Sequence, residues 1–189
     1  MALSPGIGAV LERIAGLDVL VVGDAMLDTY LRGTTTRLCQ EAPVPIVAVA
    51  ERADAPGGAA NTAVNVRALG ARVRLLAATG DDDEGHTLRA ALEGAGVDTA
   101  ALLVEPGRRS LAKQRVLAGG HLLVRFDQGD TGRLSPVTER ELVRRFSALA
   151  ANADAIVVSD YGYGVLGPRL LEALAALQQR APRVLVVDS

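Results

Sequence analysis

Four short, largely apolar runs recur along the chain: DVLVVGD at 18–24, VRLLAATGDD at 73–82, DAIVVSDYG at 154–162 and RVLVVDS at 183–189. Apolar residues at every position, rather than every second one, predict strands covered on both faces, as in a parallel sheet. Between them the period lengthens to that of amphipathic helices. These are predicted at 59–69, at 84–94 with Leu88 and Leu92, at 138–149 with Leu142, Phe146 and Leu149, and at 168–179 with Leu170, Leu171, Leu174 and Leu177. Thr138 followed by Glu141 predicts a capping box at the third helix. Strands alternating with helices predict an α/β fold built on a doubly wound, mainly parallel sheet.

Two stretches break this alternation. VPIVAVAE at 44–51, and LAKQRVLA at 111–118 followed by HLLVRFD at 121–127, read as antiparallel strands, the latter two joined by Gly119 and Gly120 as a tight hairpin. They predict a small β lid, over about 44–50 and 111–127, inserted into one domain. The length of 189 residues fits one domain with a sizeable core, and no repeat or low-complexity linker divides it.

Composition narrows the class of partner. Lys+Arg 20 against Asp+Glu 22 leaves a formal net charge of -2, which offers no basic field for nucleic acid and no polybasic segment for anionic lipid. With aromatic residues at 3%, the core must be aliphatic. Cys39 is the only cysteine, so an intramolecular disulfide and a cysteine-based zinc site are excluded by count, and a reducing cytoplasm is the expected location. No apolar run approaches about 18 residues, and the first residues lack the cationic and apolar regions of a secretion signal.

Polar residues just beyond the carboxyl ends of parallel strands are the first candidates for chemistry, because ligands bind there. Asp24 and Asp28 follow the first run, Asp82 the second and Asp160 the third. Aspartate at a strand end also caps turns and helices. That reading is favoured for Asp82; for Asp24, Asp28 and Asp160 both readings stand. PGGAANTAVNVRALGA at 56–71 has the same duality. Gly57 and Gly58 let backbone approach a ligand closely, and Asn61 in the first helical turn can donate to and accept from a hydroxyl; on local pattern alone, a glycine turn with an asparagine cap is the favoured reading. Asn65, one turn later, is a poor helix former and is expected to have a buried partner.

Other chemistries lack their signatures. Neither a dinucleotide G-x-G-x-x-G nor a P-loop G-x-x-x-x-G-K-[ST] occurs, which removes support for a Rossmann oxidoreductase or a P-loop nucleotide site. His86 and His121 have no companions at metal-ligand spacing and are expected at the surface. Ser110, Ser135 and Ser159 lack the G-x-S-x-G context of a hydrolase. No catalytic residue and no metal ligand is assigned.

Taken in order, VVGDAMLDTYLRGTTTRLCQEAPVPIVAV, PGGAANTAVNVRALGA, TGDDDEG, LAKQRVLAGGHLLVRFD and VVSDYGYGVL resemble the ribokinase-like carbohydrate kinases, also called the phosphofructokinase-B family. Within it, the likeness is greatest to the kinase domain of the heptose 7-phosphate kinase and adenylyltransferase proteins. It runs from about residue 18 to the last residue. The resemblance implies ATP-dependent phosphorylation of a sugar hydroxyl, with Mg²⁺ spreading charge and an aspartate accepting the hydroxyl proton. It also implies that Gly57, Gly58 and Asn61 contact the sugar, that Asp24 and Asp28 accept from its hydroxyls, and that Asp160 lies beside it. Lys113, Arg115 and Arg125 on the lid strands, and Arg37 on the loop before them, are either phosphate ligands or solvated cations. Pairing of lid strands between subunits, giving a homodimer, is implied in the same way.

The sequence departs from the family pattern in two places. It contains no Gly-Ala-Gly-Asp string, which in the family carries the anion-binding helix start and the catalytic aspartate, and the ATP-binding and magnesium-associated segments belong to the same region. The chain is therefore expected to be the N-terminal, sugar-binding portion of a longer kinase and inactive alone, or else to have its sheet completed by a partner; the alternative is a non-catalytic sugar-binding or assembly module. The second departure is Tyr163 in SDYGYG, where these heptose kinases favour lysine.

Overall fold

The computed structural model describes residues 5–189. In chain order its elements are α1 (Pro5–Ala15), β1 (Asp18–Gly23), β2 (Ala25–Leu38), β3 (Pro45–Gly58), α2 (Ala59–Ala68), β4 (Arg72–Leu76), β5 (Ala78–Thr79), α3 (Asp83–Gly94), β6 (Leu103–Val104), β7 (Ala112–Ala118), β8 (His121–Gln128), α4 (Pro136–Ala150), β9 (Ala155–Ser159), α5 (Pro168–Arg180) and β10 (Val184–Asp188). The four largely apolar runs supply the four strands of one parallel sheet, in the order β10-β9-β1-β4.

Helices cover both faces of that sheet, which is why its central strands tolerate no polar alternation. Val19, Val21, Val73 and Leu75 pack against Ala59, Ala60 and Ala63 of α2 and Leu88 and Leu92 of α3. The intervening residues Leu20, Val22, Leu76, Ile156 and Val158 point the other way, onto Leu142, Phe146 and Ala150 of α4 and Leu170 of α5. Phe146 is 2% exposed, and its truncation to alanine would cost about 3–5 kcal/mol. At the edge, the apolar side chains of β10 from Val184 to Val187 remain exposed.

The lid is a second, four-stranded sheet in the order β3-β2-β7-β8. Two antiparallel hairpins, β2–β3 and β7–β8, are joined through the parallel pair β2–β7. Gly119 and Gly120 both have positive φ, as the predicted tight turn between β7 and β8 requires.

Several expectations are corrected here. β2 was not predicted; it leaves β1 after Asp24 alone, so Arg37 lies on a strand near its far end rather than in a loop. The strand predicted at 44–51 runs on to Gly58, which makes Gly57 and Gly58 the end of a strand rather than a turn. The run 73–82 divides into β4 and β5, the latter pairing with the unpredicted β6. Ser135, not Thr138, caps α4: its hydroxyl accepts from the Thr138 backbone N–H at 3.2 Å, and Glu141 instead pairs with Arg144 and Arg145. Asn65 is exposed, its amide donating to the Asn61 carbonyl and side-chain oxygens at 3.0 and 3.1 Å.

Candidate functional site

The site forms where the main sheet hands the chain to the lid. β1 and β9 end side by side, with Gly23 in register with Ser159. One residue later β2 begins, and its first residues pair with the last of β3, Ala25 with Gly58 and Met26 with Gly57. Gly58 is also the residue before α2, so strand end, lid base and helix start converge within a few residues.

Both glycines are required by close approach. A Cβ at Gly57 would lie 2.5 Å from Asp28 Oδ2 and 2.9 Å from Met26 Cγ. At Gly58, where φ is 57°, it would lie 2.4 Å from the Asp24 carbonyl oxygen and 2.6 Å from Met26 Cε. The strand can therefore pass against Asp28 and turn into α2 only without side chains.

Asp24 faces the backbone. It is fully buried, its Oδ2 accepting the N–H groups of Tyr161 and Tyr163, both at 3.0 Å, and its Oδ1 that of Val165 at 3.1 Å. Of the two readings for Asp24, the structure shows the turn-fixing one: the enclosed carboxylate is engaged in fixing the loop after β9 across the end of β1. Asp160, half-buried at the head of that loop, accepts from the Gly162 N–H at 2.9 Å, so the turn-capping reading holds for one of its oxygens. Asp82 caps α3 through the Gly85 N–H at 2.9 Å and also accepts from the Ser110 N–H at 2.7 Å. Burial would raise its pKa, but hydrogen bonds from Ser110 and Gly85 hold it below the ordinary aspartate value.

One face of the lid gathers the charged candidates. Asp28 and Tyr30 of β2 stand in register with Lys113 and Arg115 of β7, which in turn face Asp127 and Arg125 of β8. Asp28 and Arg115 pair at 2.7 Å, both about one-fifth exposed, and that hydrogen bond raises the Arg115 pKa. The Arg115 guanidinium also lies 5.1 Å from the centre of the Tyr30 ring. Lys113 extends instead over Tyr161 and Tyr163, whose rings stack with centres 6.5 Å apart. Beside them, a pocket of about 130 Å³ is bounded by Lys113, Asp127, Gln128, Gly129, Thr131 and Tyr163.

The remaining candidates sit further out. Asn61, on the first turn of α2, is exposed, with Asn65 bound to its side-chain oxygen. No side chain caps that helix. Arg125 pairs with Asp127 at 2.9 Å on the exposed outer strand. Arg37 is not brought to this cluster. The sequence reading missed Tyr30 and Tyr161 as partners of the lid cations, and missed Arg108. The signal was present in part, since all three tyrosines of an aromatic-poor chain lie under lid cations. Arg108 is buried against Glu105 at 3.3 Å and donates to the carbonyls of Asp130, Gly132 and Tyr163, tying the lid base to the loop after β9.

A doubly wound sheet whose carboxyl edge meets a β lid bearing carboxylates and cations is the architecture of the ribokinase-like class. The chain belongs to the pfkB family of carbohydrate kinases, whose family model matches residues 17–188. It is similar to the bifunctional protein HldE of Hyphomonas neptunium, with 38% identity over 98% of this chain and 38% of that one. The HldE of a Caulobacter species is 40% identical over 94% of this chain and 36% of its own length. The chain thus spans well under half the length of these curated relatives. Among solved structures, a carbohydrate kinase from Agrobacterium tumefaciens superposes with a TM-score of 0.64 at 22% identity, covering 90% of this chain and 53% of that one. Arabidopsis thaliana ribokinase, solved with ribose and ATP, superposes with a TM-score of 0.62 at 16% identity over 92% and 54%. These structural likenesses establish the ribokinase-like fold. None of the described helices is long and apolar enough to cross a membrane.

Proposed function

We propose that this chain is the sugar-binding portion and lid of an ATP-dependent kinase that phosphorylates a sugar phosphate, with D-glycero-D-manno-heptose 7-phosphate as the substrate; the resemblance to heptose 7-phosphate kinases and the similarity to HldE proteins support the reading. The observation that carries the reading is the lid face. Asp28, held by Arg115 at 2.7 Å and pressed against Gly57, offers a fixed acceptor for sugar hydroxyls, while Lys113 beside it offers a cation for a phosphate. In this reading Gly57, Gly58 and Asn61 contact the sugar and Asp160 lies beside it, as the family resemblance implies, while Asp24 holds the loop on which Tyr161 and Tyr163 stand.

In this reading ATP supplies the transferred γ-phosphoryl group with Mg²⁺, both implied by the family. No residue here is assigned to magnesium, to the nucleotide or to proton abstraction, because the sequence contains no Gly-Ala-Gly-Asp string to carry those roles. We read the chain as one domain with an inserted lid, working in the cytoplasm on a small molecule rather than on nucleic acid or membrane. Leu122, Val124 and Phe126, exposed on β8, support pairing of two lids in a homodimer.

A coupled ADP-release assay with a panel of sugars and sugar phosphates, run on the full native reading frame and on the 189-residue chain separately, tests this. Turnover of the heptose phosphate by the full reading frame alone is expected. Binding without turnover would transfer the chain to the non-catalytic sugar-binding class, and turnover by the 189-residue chain would overturn the assignment of its role.

A further inference from the structure

The lid face holds its two inner cations in different ways. Lys113 and Arg115 are two positions apart on β7 and point to the same side. Arg115 is engaged by Asp28. The other carboxylate in register with this pair, Asp127, is engaged by Arg125. Among the described residues no carboxylate pairs with Lys113; its ammonium instead lies 5.5 Å from the centre of the Tyr161 ring and 5.4 Å from that of Tyr163. Three cations thus face two carboxylates, and the surplus charge is located on Lys113.

The difference has a chemical consequence. A carboxylate cancels the charge it holds, whereas the negative face of an aromatic ring attracts an ammonium and leaves its charge and its N–H donors available. The rings can do this because Asp24 holds the backbone N–H of both tyrosines, and the Tyr163 backbone is clamped on its carbonyl side as well. The Tyr163 N–H donates to Asp24 at 3.0 Å, and its carbonyl accepts from the buried Arg108 at 2.8 Å.

Building on the sugar-phosphate reading above, we propose that Tyr163, together with Tyr161, is a specificity-determining positioning residue. The paired rings hold the Lys113 ammonium uncancelled at the mouth of the pocket, where it takes the phosphate of a phosphorylated sugar and sets the preference for that sugar over its unphosphorylated form. Tyr163 acts through Lys113 and makes no bond to the reacting atoms. An aromatic residue is needed at position 163, and its hydroxyl is not.

The test is calorimetric titration of D-glycero-D-manno-heptose 7-phosphate and of the same heptose without phosphate, using the full native protein and variants whose folding is checked by thermal melting. Tyr163→Leu is expected to weaken binding of the phosphate about two- to fivefold while leaving the unphosphorylated heptose unchanged. Tyr163→Phe should restore the discrimination. Lys113→Met should abolish it, and adding Tyr163→Leu to Lys113→Met should then change nothing further. Equal weakening of both ligands by Tyr163→Leu, or a further loss in the Lys113→Met background, overturns the proposal while the kinase reading stands. If Tyr163→Leu does not fold, Lys113→Met decides: unchanged discrimination between the two ligands overturns it. Failure of the unaltered protein to bind either heptose overturns the heptose reading together with this inference.

Discussion

The Asp28 carboxylate and the Arg115 guanidinium meet at 2.7 Å across the parallel pairing of β2 and β7, joining residues that lie 87 positions apart in sequence. The pair welds the two hairpins of the lid. It also leaves the second oxygen of Asp28 directed at Gly57, where even a methyl group would intrude. One carboxylate therefore ties the two hairpins together and sets how closely the end of β3 can pass.

Asp28→Ala separates this structural role from the proposed one in sugar binding. With both side chains about one-fifth exposed, loss of the pair should lower stability by only about 1 kcal/mol, which urea denaturation would measure. Loss of a charged acceptor for a sugar hydroxyl should cost about 1.5–3 kcal/mol in binding, or roughly 10- to 150-fold in kcat/KM of the full kinase. A variant that melts early but retains kcat/KM would remove Asp28 from the site.

Gly57→Ala probes the same geometry without touching a charge. The added Cβ would stand 2.5 Å from Asp28 Oδ2, so the carboxylate must move, and with it the acceptor position. The expected result is a raised KM for the sugar with an intact fold. Gly58→Ala should instead be destabilising by about 1–3 kcal/mol, because its φ of 57° and the Asp24 carbonyl 2.4 Å from the added atom both resist a side chain. Comparing thermal melts and KM values for the two variants distinguishes crowding of the site from backbone strain.

Asp24→Ala should be among the most damaging single changes in the chain. It strands three backbone N–H groups, of Tyr161, Tyr163 and Val165, around a space with no exposure to solvent. Each unsatisfied group costs about 1–3 kcal/mol, so a loss of more than about 3 kcal/mol in chemical denaturation is expected, along with rapid amide exchange from 161 to 165. Unchanged exchange protection in that loop would show that other contacts hold it.

The main sheet was legible because each of its strands carries its own signal. A run such as DVLVVGD is apolar at consecutive positions whatever its neighbours; β1, β9 and β10 read this way, and β4 follows the pattern apart from Arg72 and Arg74. β2 was not legible for the opposite reason. AMLDTYLRGTTTRL mixes charges, threonines and Gly33, and is held as a strand by β3 on one side and by the sequence-distant β7 on the other. Missing β2 also hid the end of β3, so Gly57 and Gly58 looked like a turn. In the site, Asp28, Lys113 and Arg115 could be named from sequence order. Their division into a paired arginine and an uncancelled lysine depends on cross-strand register and on where Tyr161 and Tyr163 are clamped, which no local pattern reveals.

Asp82 provides a pH-dependent prediction for the fold itself. Burial disfavours its charge, yet the N–H groups of Ser110 and Gly85 and the Ser110 side chain hold its pKa below the ordinary value of 3.8. A carboxylate depressed in the folded state binds protons more readily when unfolded. Its contribution to stability is therefore fully present above the ordinary value and is lost as pH falls through the folded one. Near neutral pH, Asp82→Ala should destabilise the chain by about 1–3 kcal/mol, through loss of the α3 cap and of the acceptor for Ser110. Asp82→Asn should recover only part of this, since its amide retains one acceptor oxygen but presents N–H donors where the carboxylate accepted a second bond. Denaturation curves for the three proteins should diverge most above pH 5 and draw together as pH is lowered below 3.8. A stability difference that stays constant across that range would mean that the cap acts through shape alone, with no contribution from the charge.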